Sequence, residues 1–350
     1  MPPLRLAVDA RVIAEDTRGI GRYARAVLRR LAARDDVELT LLADGPFPQR
    51  RRSAYARALG GDAFIVSARA GNLDAIWHPA NGTFFGSLLP SVVTIHDAVP
   101  FRYPDPDPKR RAHAQQPFLR SARSASRVIA VSRFGRAELH QMLQIPFEQI
   151  EVIEHGVEPS FSPGAAEPLP PGLRPQEFLL FVGDPIAEPR KNFAMLYEAY
   201  RRAWDAGDGP ALAVAGPRAP ELPGVLHIGN LGDDLTTDSD ESLRACYRGA
   251  LALTLASYHE TFGMPMLEAM ACGTPVVASR ASSLPEIGGD AALYVPPDDA
   301  GAWAAALRSI VEDSALRDRL RAAGPARAKR FRWDESARRH FELFRAVAGR

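Results

Sequence analysis

The stretch 250–279, ALALTLASYHETFGMPMLEAMACGTPVVAS, contains the strand, turn, helix and second strand that decide the fold. Its first eight residues have the apolar pattern of a buried strand, and 266–271 read as a short helix. Pro265 suits the first helical turn, Gly273 suits the position just after the helix, and Pro275 cannot extend it. Backbone N–H groups at such a helix N-terminus bind anions and hydroxyl groups. The stretch therefore predicts a ligand site where the strand ends.

Two carboxylates flank this predicted turn. Glu260 comes just before the glycine turn, and Glu268 lies about one helical turn inside the helix. A carboxylate accepts hydrogen bonds from the vicinal hydroxyls of a ribose or a hexose, so the pair suits two parts of one ligand. The alternative is that both are solvated surface residues. The neighbours Leu267 and Met270 make that alternative less natural for Glu268, because the helix reads as mostly buried.

Short apolar runs alternate with amphipathic helical segments along the whole chain, which predicts parallel α/β sheets. In the segment 20–31, for example, apolar residues fall on one face and Arg22, Arg25 and Arg29 on another. The predicted strands are 4–10, 37–43, 63–68, 75–78, 91–96, 127–132, 150–154, 178–183, 211–215, 225–229, 250–256, 275–279 and 291–295.

A proline-rich segment divides the chain nearly in half. Six prolines occur between 159 and 175, a density that neither sheet nor helix tolerates. We therefore predict an interdomain linker at 159–176, between Rossmann-like domains at 1–158 and 177–333. The last segment, 334–350, contains an amphipathic helix. Two doubly wound domains facing each other would form a cleft at the carboxyl ends of their strands, where ligands bind in such sheets.

The composition, with 46% hydrophobic and 24% charged residues, is ordinary for a globular protein and excludes a fibrous or disordered chain. No apolar run approaches the ~20 residues that span a bilayer, and the N-terminus reads as a first strand rather than a signal peptide. The two cysteines, Cys246 and Cys272, imply neither a disulfide framework nor a cysteine zinc site. The cytoplasm is the expected compartment.

The formal net charge is +1, but it is unevenly distributed. Residues 1–158 hold 22 basic and 17 acidic residues, and 326–350 hold eight basic and three acidic residues. Together these segments carry about +10, which favours an anionic acceptor or peripheral contact with an anionic membrane surface. The alternative is a solvated basic surface without a function.

A second candidate site follows the predicted strand that ends at Gly183. Pro189-Arg190-Lys191-Asn192 opens the next helix there, although the helix dipole disfavours cations at an N-terminus. Arg190 and Lys191 make sense if a phosphate lies between them and the helix amides, because a diphosphate leaving group needs its growing charge neutralised. A solvated basic pair is the alternative.

Two further candidates lie in the first half. Gly19-Ile20-Gly21 precedes a helix, but it lacks the third glycine of a dinucleotide fingerprint, and helix capping or close packing explains it equally well. His96-Asp97 ends a predicted strand, at the edge of a parallel sheet where sites form. A structural role is about as probable for a lone histidine.

Metal binding was weighed for two Asp-x-Asp matches, Asp105-Pro106-Asp107 and Asp238-Ser239-Asp240. Both lie in polar or proline-rich loops without a strand leading into them, so we interpret them as solvated turns. No metal ligand is predicted. Arg190 and Lys191 would take the electrostatic role that a metal has in other transferases.

The segment from Glu260 to Val277 resembles the signature of family-4 retaining glycosyltransferases of the GT-B fold, E-x-F-G-x-P-x-x-E-A-M-A-x-G-x-P-V-V. The resemblance implies that Glu268 holds the ribose hydroxyls of a nucleotide-sugar donor and that Glu260, with a catalytic role, contacts the transferred sugar. It also implies that the 261–264 amides, of Thr261, Phe262, Gly263 and Met264, line the sugar and phosphates. Thr261 departs from the commonest residue, glycine, and puts the choice of donor sugar in doubt.

The resemblance extends to both halves of the chain. It implies that Arg190 and Lys191 bind the donor diphosphate, that the loop at Gly19 and Gly21 approaches the phosphates, and that His96, like Glu260, has a catalytic role and contacts the sugar. More speculative acceptor contacts are Asp97, Arg102, Tyr103 and Ser132. His155 stands where the family has asparagine, so the segment 155–158 is interpreted as a hinge. The C-terminal helix is expected to cross back and pack on the N-terminal domain.

The function implied by this resemblance is a metal-independent, retaining transfer of a hexose to a glycan or a lipid-phosphate-linked acceptor, without a cofactor. Mannose from GDP-mannose is the first prediction for the donor, because Gly-Ile-Gly-Arg-Tyr and His-Asp-Ala-Val-Pro resemble segments of mannosyltransferase-like members. UDP- or dTDP-sugars are the alternative donors. A non-catalytic nucleotide-sugar-binding protein is the alternative from another class, and a GT-B epimerase or phosphorylase would not be expected to have the 260–277 signature. No nucleic-acid partner is expected.

Overall fold

A computed structural model describes residues 2–16, 19–204, 208–231 and 241–350. The chain forms two compact units, one of Met1–Gly156 with Arg332–Arg350 and one of Val157–Phe331. Each unit contains one parallel sheet with helices, so the predicted pair of Rossmann-like α/β sheets is confirmed. Within the described ranges, no helix is both long and apolar enough to cross a membrane.

The first unit is built on a sheet in which the described strands have the order β3-β2-β1-β4-β5-β6-β7. These strands are β1 (Leu4–Asp9), β2 (Val37–Leu42), β3 (Ile65–Ser67), β4 (Ala75–His78), β5 (Ser91–Ile95), β6 (Arg127–Ala130) and β7 (Ile150–Val152). The helices between them are α1 (Gly19–Ala32), α2 (Arg52–Leu59), α3 (Val99–Arg102), α4 (Pro108–Ser124) and α5 (Arg133–Leu143). All pairs are parallel, with Leu4 opposite Val37 and Leu6 opposite Ala75. The order reverses beside β1, which creates a switch point between β1 and β4.

The second unit repeats this plan with the strand order β10-β9-β8-β11-β12-β13. Its strands are β8 (Phe178–Val182), β9 (Ala211–Ala215), β10 (Val225–His227), β11 (Ala252–Leu255), β12 (Val276–Ser279) and β13 (Leu293–Val295). Its helices are α6 (Phe193–Ala203), α7 (Glu241–Gly249), α8 (Met264–Ala271), α9 (Leu284–Gly288), α10 (Ala300–Glu312) and α11 (Ser314–Ala328). β11 and β12 are buried at every position, which explains their continuous apolar runs. The switch point lies between β8 and β11.

The proline-rich segment, predicted to be an interdomain linker at 159–176, is part of the second unit. That unit begins at Val157. The Arg248 side chain holds the segment in place by donating to the carbonyl groups of Ser160, Ser162 and Ala165. Prolines prevent regular structure here, but these contacts with an arginine of α7 still fix the segment on its unit.

The chain's last helix, α12 (Trp333–Val347), belongs to the first unit. It packs along α1, and the fully buried Phe344 ring lies 5.5 Å from the ring of Trp77. His340 Nε2 lies 2.5 Å from the Tyr23 hydroxyl, while His340 Nδ1 donates to the Ser336 carbonyl. Because a carbonyl only accepts, Nδ1 holds the proton and Nε2 accepts from Tyr23.

One arginine of α1 behaves differently from the prediction. Arg25 was assigned to a charged face with Arg22 and Arg29, yet its side chain is buried. Its guanidinium donates to the carbonyls of Ile13 (3.1 Å) and Asp16 (2.7 Å), which belong to the loop before the helix. Loop carbonyls that need donors therefore override the helical periodicity at this position.

Buried histidines make the first unit sensitive to acid. Burial lowers the pKa of His340 to about 4 and also lowers the pKa of His96 and of His155. Between the ordinary value of about 6.5 and these lower values, the unfolded chain binds more protons than the folded one, so acid favours unfolding. We expect the free energy of unfolding to fall by on the order of 2 kcal/mol from His340 alone between pH 7 and pH 5.

Denaturant unfolding at pH 7, 6 and 5 measures this dependence. His340→Gln should flatten it, whereas His113→Gln, which removes an exposed histidine of α4, should leave it unchanged. If the free energy of unfolding changed equally with pH in the wild type and in His340→Gln, protonation of His340 would not destabilise the fold.

Candidate functional site

The predicted donor residues of the second half of the chain lie at the switch point of the second unit. β8 and β11 are neighbours in the sheet, and their carboxyl ends lead into the segments 183–192 and 256–263. Tyr258 N donates to the Arg190 carbonyl at 2.8 Å, which joins the two segments. This edge of an open α/β sheet is where ligands bind.

Gly183 provides the space for Lys191. Its φ of +138° disfavours other residues, and a Cβ there would lie 2.5 Å from two carbons of the Lys191 side chain. Lys191 ends a short 3-10 helix, Pro189–Lys191, and the following Asn192 has a φ of +59°. Asn192 Nδ2 donates to the carbonyls of Ala256 and Pro297, so it joins three loops at this edge.

Glu260 is the centre of a buried charge cluster. Its Oε1 accepts from Lys191 Nζ at 3.2 Å and from the Ser257 hydroxyl at 2.9 Å, and its Oε2 lies 3.6 Å from Arg190 Nη1. Burial alone would raise the pKa of Glu260, but the charges of Lys191 and Arg190 and the hydrogen bonds outweigh burial and lower it. The carboxylate is therefore ionised at neutral pH.

The two cations have a second carboxylate partner. Arg190 Nη2 donates to Glu188 Oε1 at 2.7 Å, and Lys191 Nζ lies 4.0 Å from Glu188 Oε2. Two cations and two carboxylates thus balance each other in this structure. Glu188 lies two positions before Arg190 in the chain and is not among the predicted site residues.

The turn after Glu260 has the predicted form. Gly263 has a φ of +90°, and α8 begins at the next residue. A Cβ at Gly263 would lie 2.8 Å from Leu284 Cδ2, so both conformation and space require glycine. Ser283 donates from its N–H and its hydroxyl to the Glu260 carbonyl, and Glu260 N donates to the Ser282 hydroxyl. Thr261 and Phe262 of the same turn are buried.

Glu268 lies inside α8 with only 3% of its surface exposed. Its Oε2 accepts from the Tyr247 hydroxyl at 3.0 Å. Tyr247 therefore holds the carboxylate in position, although the sequence analysis did not select this tyrosine. The contact spans 21 positions and has no local pattern.

Asp184 and Arg218 form a further group that the sequence analysis missed at this edge. Asp184 directly follows Gly183, and its Oδ1 accepts from the N–H groups of Ile186 and Ala187. Its Oδ2 accepts from Arg218 Nε (3.0 Å) and Nη2 (2.8 Å). Burial would raise the pKa of Asp184, but these hydrogen bonds lower it. The pair fixes the loop that leads to Arg190.

The predicted site residues of the first unit lie at the carboxyl edge of its own sheet. His96 follows β5, and its Nε2 donates to the Pro79 carbonyl at 2.8 Å, so Nδ1 is the acceptor nitrogen. Burial lowers the pKa of His96, which keeps the ring neutral at pH 7. The His96 ring stacks on the His155 ring, and the two ring centres are 5.5 Å apart. The Asp97 carboxylate accepts from Val99 N at 3.1 Å.

Some of the remaining predicted site residues have structural roles. Gly21 is tightly packed, because a Cβ would lie 1.8 Å from the Asp16 carbonyl oxygen, whereas Gly19 has open space around it. Ser132 is fully buried and caps α5 by accepting from Gly135 N. Arg102 Nη1 lies 3.4 Å from Glu138 Oε1, and Tyr103 is 46% exposed. The acceptor roles of Asp97, Arg102, Tyr103 and Ser132 stay predictions.

The two Asp-x-Asp segments were interpreted as solvated turns. Asp107 caps α4 by accepting from Lys109 N and Arg110 N, and Asp105 accepts from Asp107 N and Arg110 Nε. Asp238-Ser239-Asp240 lies outside the described residues. Where the structure describes the chain, no group of three His, Cys, Asp or Glu side chains is arranged to hold a metal ion.

Comparisons with known proteins show the family of the chain. The family model described as Glycosyltransferase Family 4 matches residues 17–161, and that described as Glycosyl transferases group 1 matches residues 176–313. The O-antigen chain mannosyltransferase B of Escherichia coli is 30% identical over 355 residues, which cover 90% of this chain and 93% of that protein. The chain belongs to glycosyltransferase family 4. It is a glycosyltransferase of the GT-B type.

Other relatives of this glycosyltransferase act on different substrates. The D-inositol 3-phosphate glycosyltransferase of Arthrobacter sp. is 30% identical over 257 residues, covering 69% of this chain and 60% of the relative. Among solved structures, sucrose-phosphate synthase from Thermosynechococcus elongatus has a TM-score of 0.68 at 20% identity, covering 98% and 99% of the two chains. Anabaena Alr3699/HepE, solved with UDP and glucose, has a TM-score of 0.67 at 17% identity and covers 97% and 98%. These structures show the shared fold.

Proposed function

We propose that this glycosyltransferase moves a hexose with retention from a nucleotide-sugar donor to a glycan or a lipid-phosphate-linked acceptor, with GDP-mannose as the first candidate donor. The observation that carries the proposal is the Arg190–Lys191–Glu260 cluster beside the N-terminus of α8. The mannosyltransferase name of the Escherichia coli relative supports the donor.

The cluster suits a reaction in which negative charge leaves. In the proposed step, the acceptor oxygen forms a bond to the anomeric carbon on the same face from which the diphosphate leaves, while the bond from that carbon to the diphosphate oxygen breaks. The bonding electron pair departs with the diphosphate, and the acceptor hydroxyl proton passes to a leaving phosphate oxygen. Arg190 and Lys191 stabilise the developing charge at fixed positions, so the site needs little reorganisation.

Donor binding changes the partners within the cluster. A diphosphate attracts Arg190 and Lys191 away from Glu188 and Glu260, which they contact in the structure. The Glu260 carboxylate then has acceptor oxygens available for hydroxyls of the transferred sugar, and Ser257 continues to hold one of them. The diphosphate then replaces the two carboxylates as the counter-ion of Arg190 and Lys191.

Further residues have roles in the donor site in this proposal. Glu268, oriented by Tyr247, accepts the two ribose hydroxyls, and the amides of the 261–264 turn donate to the sugar and phosphates. His96 presents Nδ1 as an acceptor for a sugar hydroxyl, because its Nε2 already donates to Pro79.

Neither a metal nor a cofactor is included in the proposal. Arg190 and Lys191 provide two fixed positive charges for the diphosphate, which is the electrostatic work that a divalent metal does in other transferases. Turnover in excess chelator should equal turnover without it. A strict requirement for added Mg²⁺ or Mn²⁺ would contradict this part of the proposal.

UDP- or dTDP-sugars are the second candidate donors. Thr261 is the observation that favours keeping them, because its side chain stands where glycine is commonest and is buried in the sugar-binding turn. A side chain there narrows the space for some sugar hydroxyls. The structural neighbour Alr3699/HepE was solved with UDP-glucose.

A donor panel tests the proposal. The protein is incubated with GDP-mannose, UDP-glucose, UDP-galactose, UDP-N-acetylglucosamine and dTDP-rhamnose, with a mixture of sugar and lipid-phosphate acceptors, and products are read by mass spectrometry. One donor should be consumed at least tenfold faster than the others. Donor binding without transfer or hydrolysis for any of them would favour the non-catalytic nucleotide-sugar-binding protein instead.

A further inference from the structure

A charged group at the switch point of the first unit is not used by the proposed mechanism. Asp9 ends β1 and His78 ends β4, and these two strands are neighbours where the strand order reverses. Arg11 follows Asp9 by two positions. The three side chains thus stand at the edge of the first sheet where open α/β folds bind ligands.

Asp9 holds the Arg11 guanidinium by one of its edges. Arg11 Nε donates to Asp9 Oδ1 at 2.9 Å, Nη2 donates to Oδ2 at 2.8 Å, and the Arg11 N–H donates to Oδ1 at 3.2 Å. The Asp9 side chain is 3% exposed, whereas the Arg11 side chain is 30% exposed. Burial would raise the pKa of Asp9, but the contacts from His78 and Arg11 lower it. The carboxylate is therefore a buried anchor and the guanidinium is its accessible partner.

A phenyl ring fixes the plane of the same guanidinium. Arg11 Cζ lies 3.3 Å from the centre of the Phe84 ring, a stacked cation–π contact. Arg11 is thus held in its plane by Asp9 and on its face by Phe84. Among the described residues, its second edge, formed by Nη1 and the other N–H of Nη2, makes no hydrogen bond. That edge has the geometry for a bidentate contact with a phosphate or a carboxylate.

His78 lies behind the anchor. Its Nδ1 is 3.6 Å from Asp9 Oδ2, the ring is 1% exposed, and neither ring nitrogen has a hydrogen-bond partner among the described residues. The ring thus lies next to the buried Asp9 carboxylate.

A similar arginine occurs at the opposite edge of the sheet. Arg34 makes two hydrogen bonds with Asp36, two positions later, and stacks on Phe341 at 3.9 Å. Asp36 directly precedes β2, at the amino end of the strands, and its side chain is 42% exposed. The two groups share their chemistry but differ in location and in the burial of the carboxylate. Arg34 is therefore a matched control for Arg11.

The loop that contains Phe84 also exposes apolar surface. Phe85 and Leu89 pack against a cluster of Ala7, Leu42 and Ile76, which anchors the loop between β4 and β5. Phe84 and Leu88, by contrast, are 41% and 106% exposed. A fixed cation next to exposed apolar side chains matches a ligand with an anionic group and an apolar group.

We propose that Arg11 binds the phosphate group of a phosphate-ester acceptor through its Nη1–Nη2 edge, with Asp9 as the positioning residue and Phe84 as the supporting ring. The inference rests on the proposed function, because it names the acceptor class of that transferase. The phosphate belongs either to a lipid-linked acceptor, which Phe84 and Leu88 would also contact, or to a soluble sugar phosphate.

Binding measurements test the proposal without turnover. Citronellyl diphosphate, glucose 1-phosphate and neutral methyl glucoside are titrated by calorimetry into the Arg190→Ala/Lys191→Ala protein, so that the donor-side cations do not bind the probes. Added Arg11→Gln should weaken the binding of at least one phosphate probe by tenfold or more. Arg34→Gln in the same background should change it by less than twofold, and Arg11→Lys should give an intermediate loss. Tighter binding of the citronellyl probe would identify the lipid-linked source, and tighter binding of glucose 1-phosphate the soluble one.

A second variant distinguishes loss of binding from misfolding. Arg11→Gln leaves Asp9 buried without its cation, so Asp9→Asn/Arg11→Gln provides a neutral pair with the same expected loss of affinity. Equal affinities in the Arg11 and Arg34 variants, or no phosphate binding in the background protein, would overturn the proposal. If the donor panel shows transfer while Arg11→Gln binds the probes normally, only this inference fails. If no donor is consumed while phosphate binding depends on Arg11, the proposed function fails and the phosphate site stands.

Discussion

Lys191→Ala is expected to lower kcat by about 10²- to 10³-fold, the usual effect of removing one fixed donor that stabilises a leaving oxyanion. Lys191 Nζ is the nearest cation to Glu260, at 3.2 Å, and Gly183 leaves the space that positions it. The side chain is buried, so water does not substitute for it well. The effect should fall mainly on kcat, because the charge that Lys191 stabilises grows as the diphosphate leaves.

The same variant should remain folded. Glu260 keeps the hydrogen bond from Ser257 and its contact with Arg190 after the lysine is removed. Initial rates with the preferred donor and thermal unfolding, measured on the same preparations, separate the two effects. Lys329→Ala removes an exposed lysine from the same unit and is the control for loss of charge. An equal kcat for Lys191→Ala and Lys329→Ala would exclude Lys191 from the leaving-group site.

Glu268→Gln is expected to weaken donor binding by about 10- to 100-fold, since charge-assisted hydrogen bonds contribute roughly 1.5–3 kcal/mol each. The substitution preserves the size of a side chain that is 3% exposed, and the amide oxygen can still accept from Tyr247. The expected loss therefore comes from weaker acceptance of the ribose hydroxyls. Calorimetry with GDP and UDP measures it directly.

Two further variants are compared with Glu268→Gln. Tyr247→Phe removes the hydroxyl that orients Glu268 and should cause a smaller loss of nucleotide affinity. Glu312→Gln changes an exposed glutamate at the end of α10 and should cause none. Unchanged nucleotide affinity in Glu268→Gln would contradict the ribose assignment, even if turnover were lost.

The features that could be predicted from the sequence depend on residues close to one another in the chain. Continuous apolar runs mark strands that helices cover on both faces, and glycine and proline mark the turn and the ends of α8. The turn at Gly263 follows from constraints within a few residues, since its φ is positive and the helix begins at once. Glu260, Glu268, Arg190 and Lys191 were found because they lie next to such signals.

Long-range contacts explain what could not be predicted. Tyr247 and Glu268 meet across 21 positions, and Tyr23 and His340 across 317. Burial of Arg25 depends on carbonyls of a preceding loop, which a helical pattern does not reveal. The pairing of Lys191 with Glu260 brings together two separately selected residues, and only the neighbouring positions of β8 and β11 make it possible.

The return of α12 to the first unit has a consequence during synthesis. Trp77, Tyr23 and the rest of that unit's first 156 residues emerge from the ribosome long before their partners His340 and Phe344 exist. At about 5–20 residues per second, synthesis of the second unit separates the two events by on the order of ten seconds or more. During that interval the surface of α1 that receives α12 stays uncovered. The nascent chain is therefore expected to expose an apolar patch to chaperones until the second unit has been made.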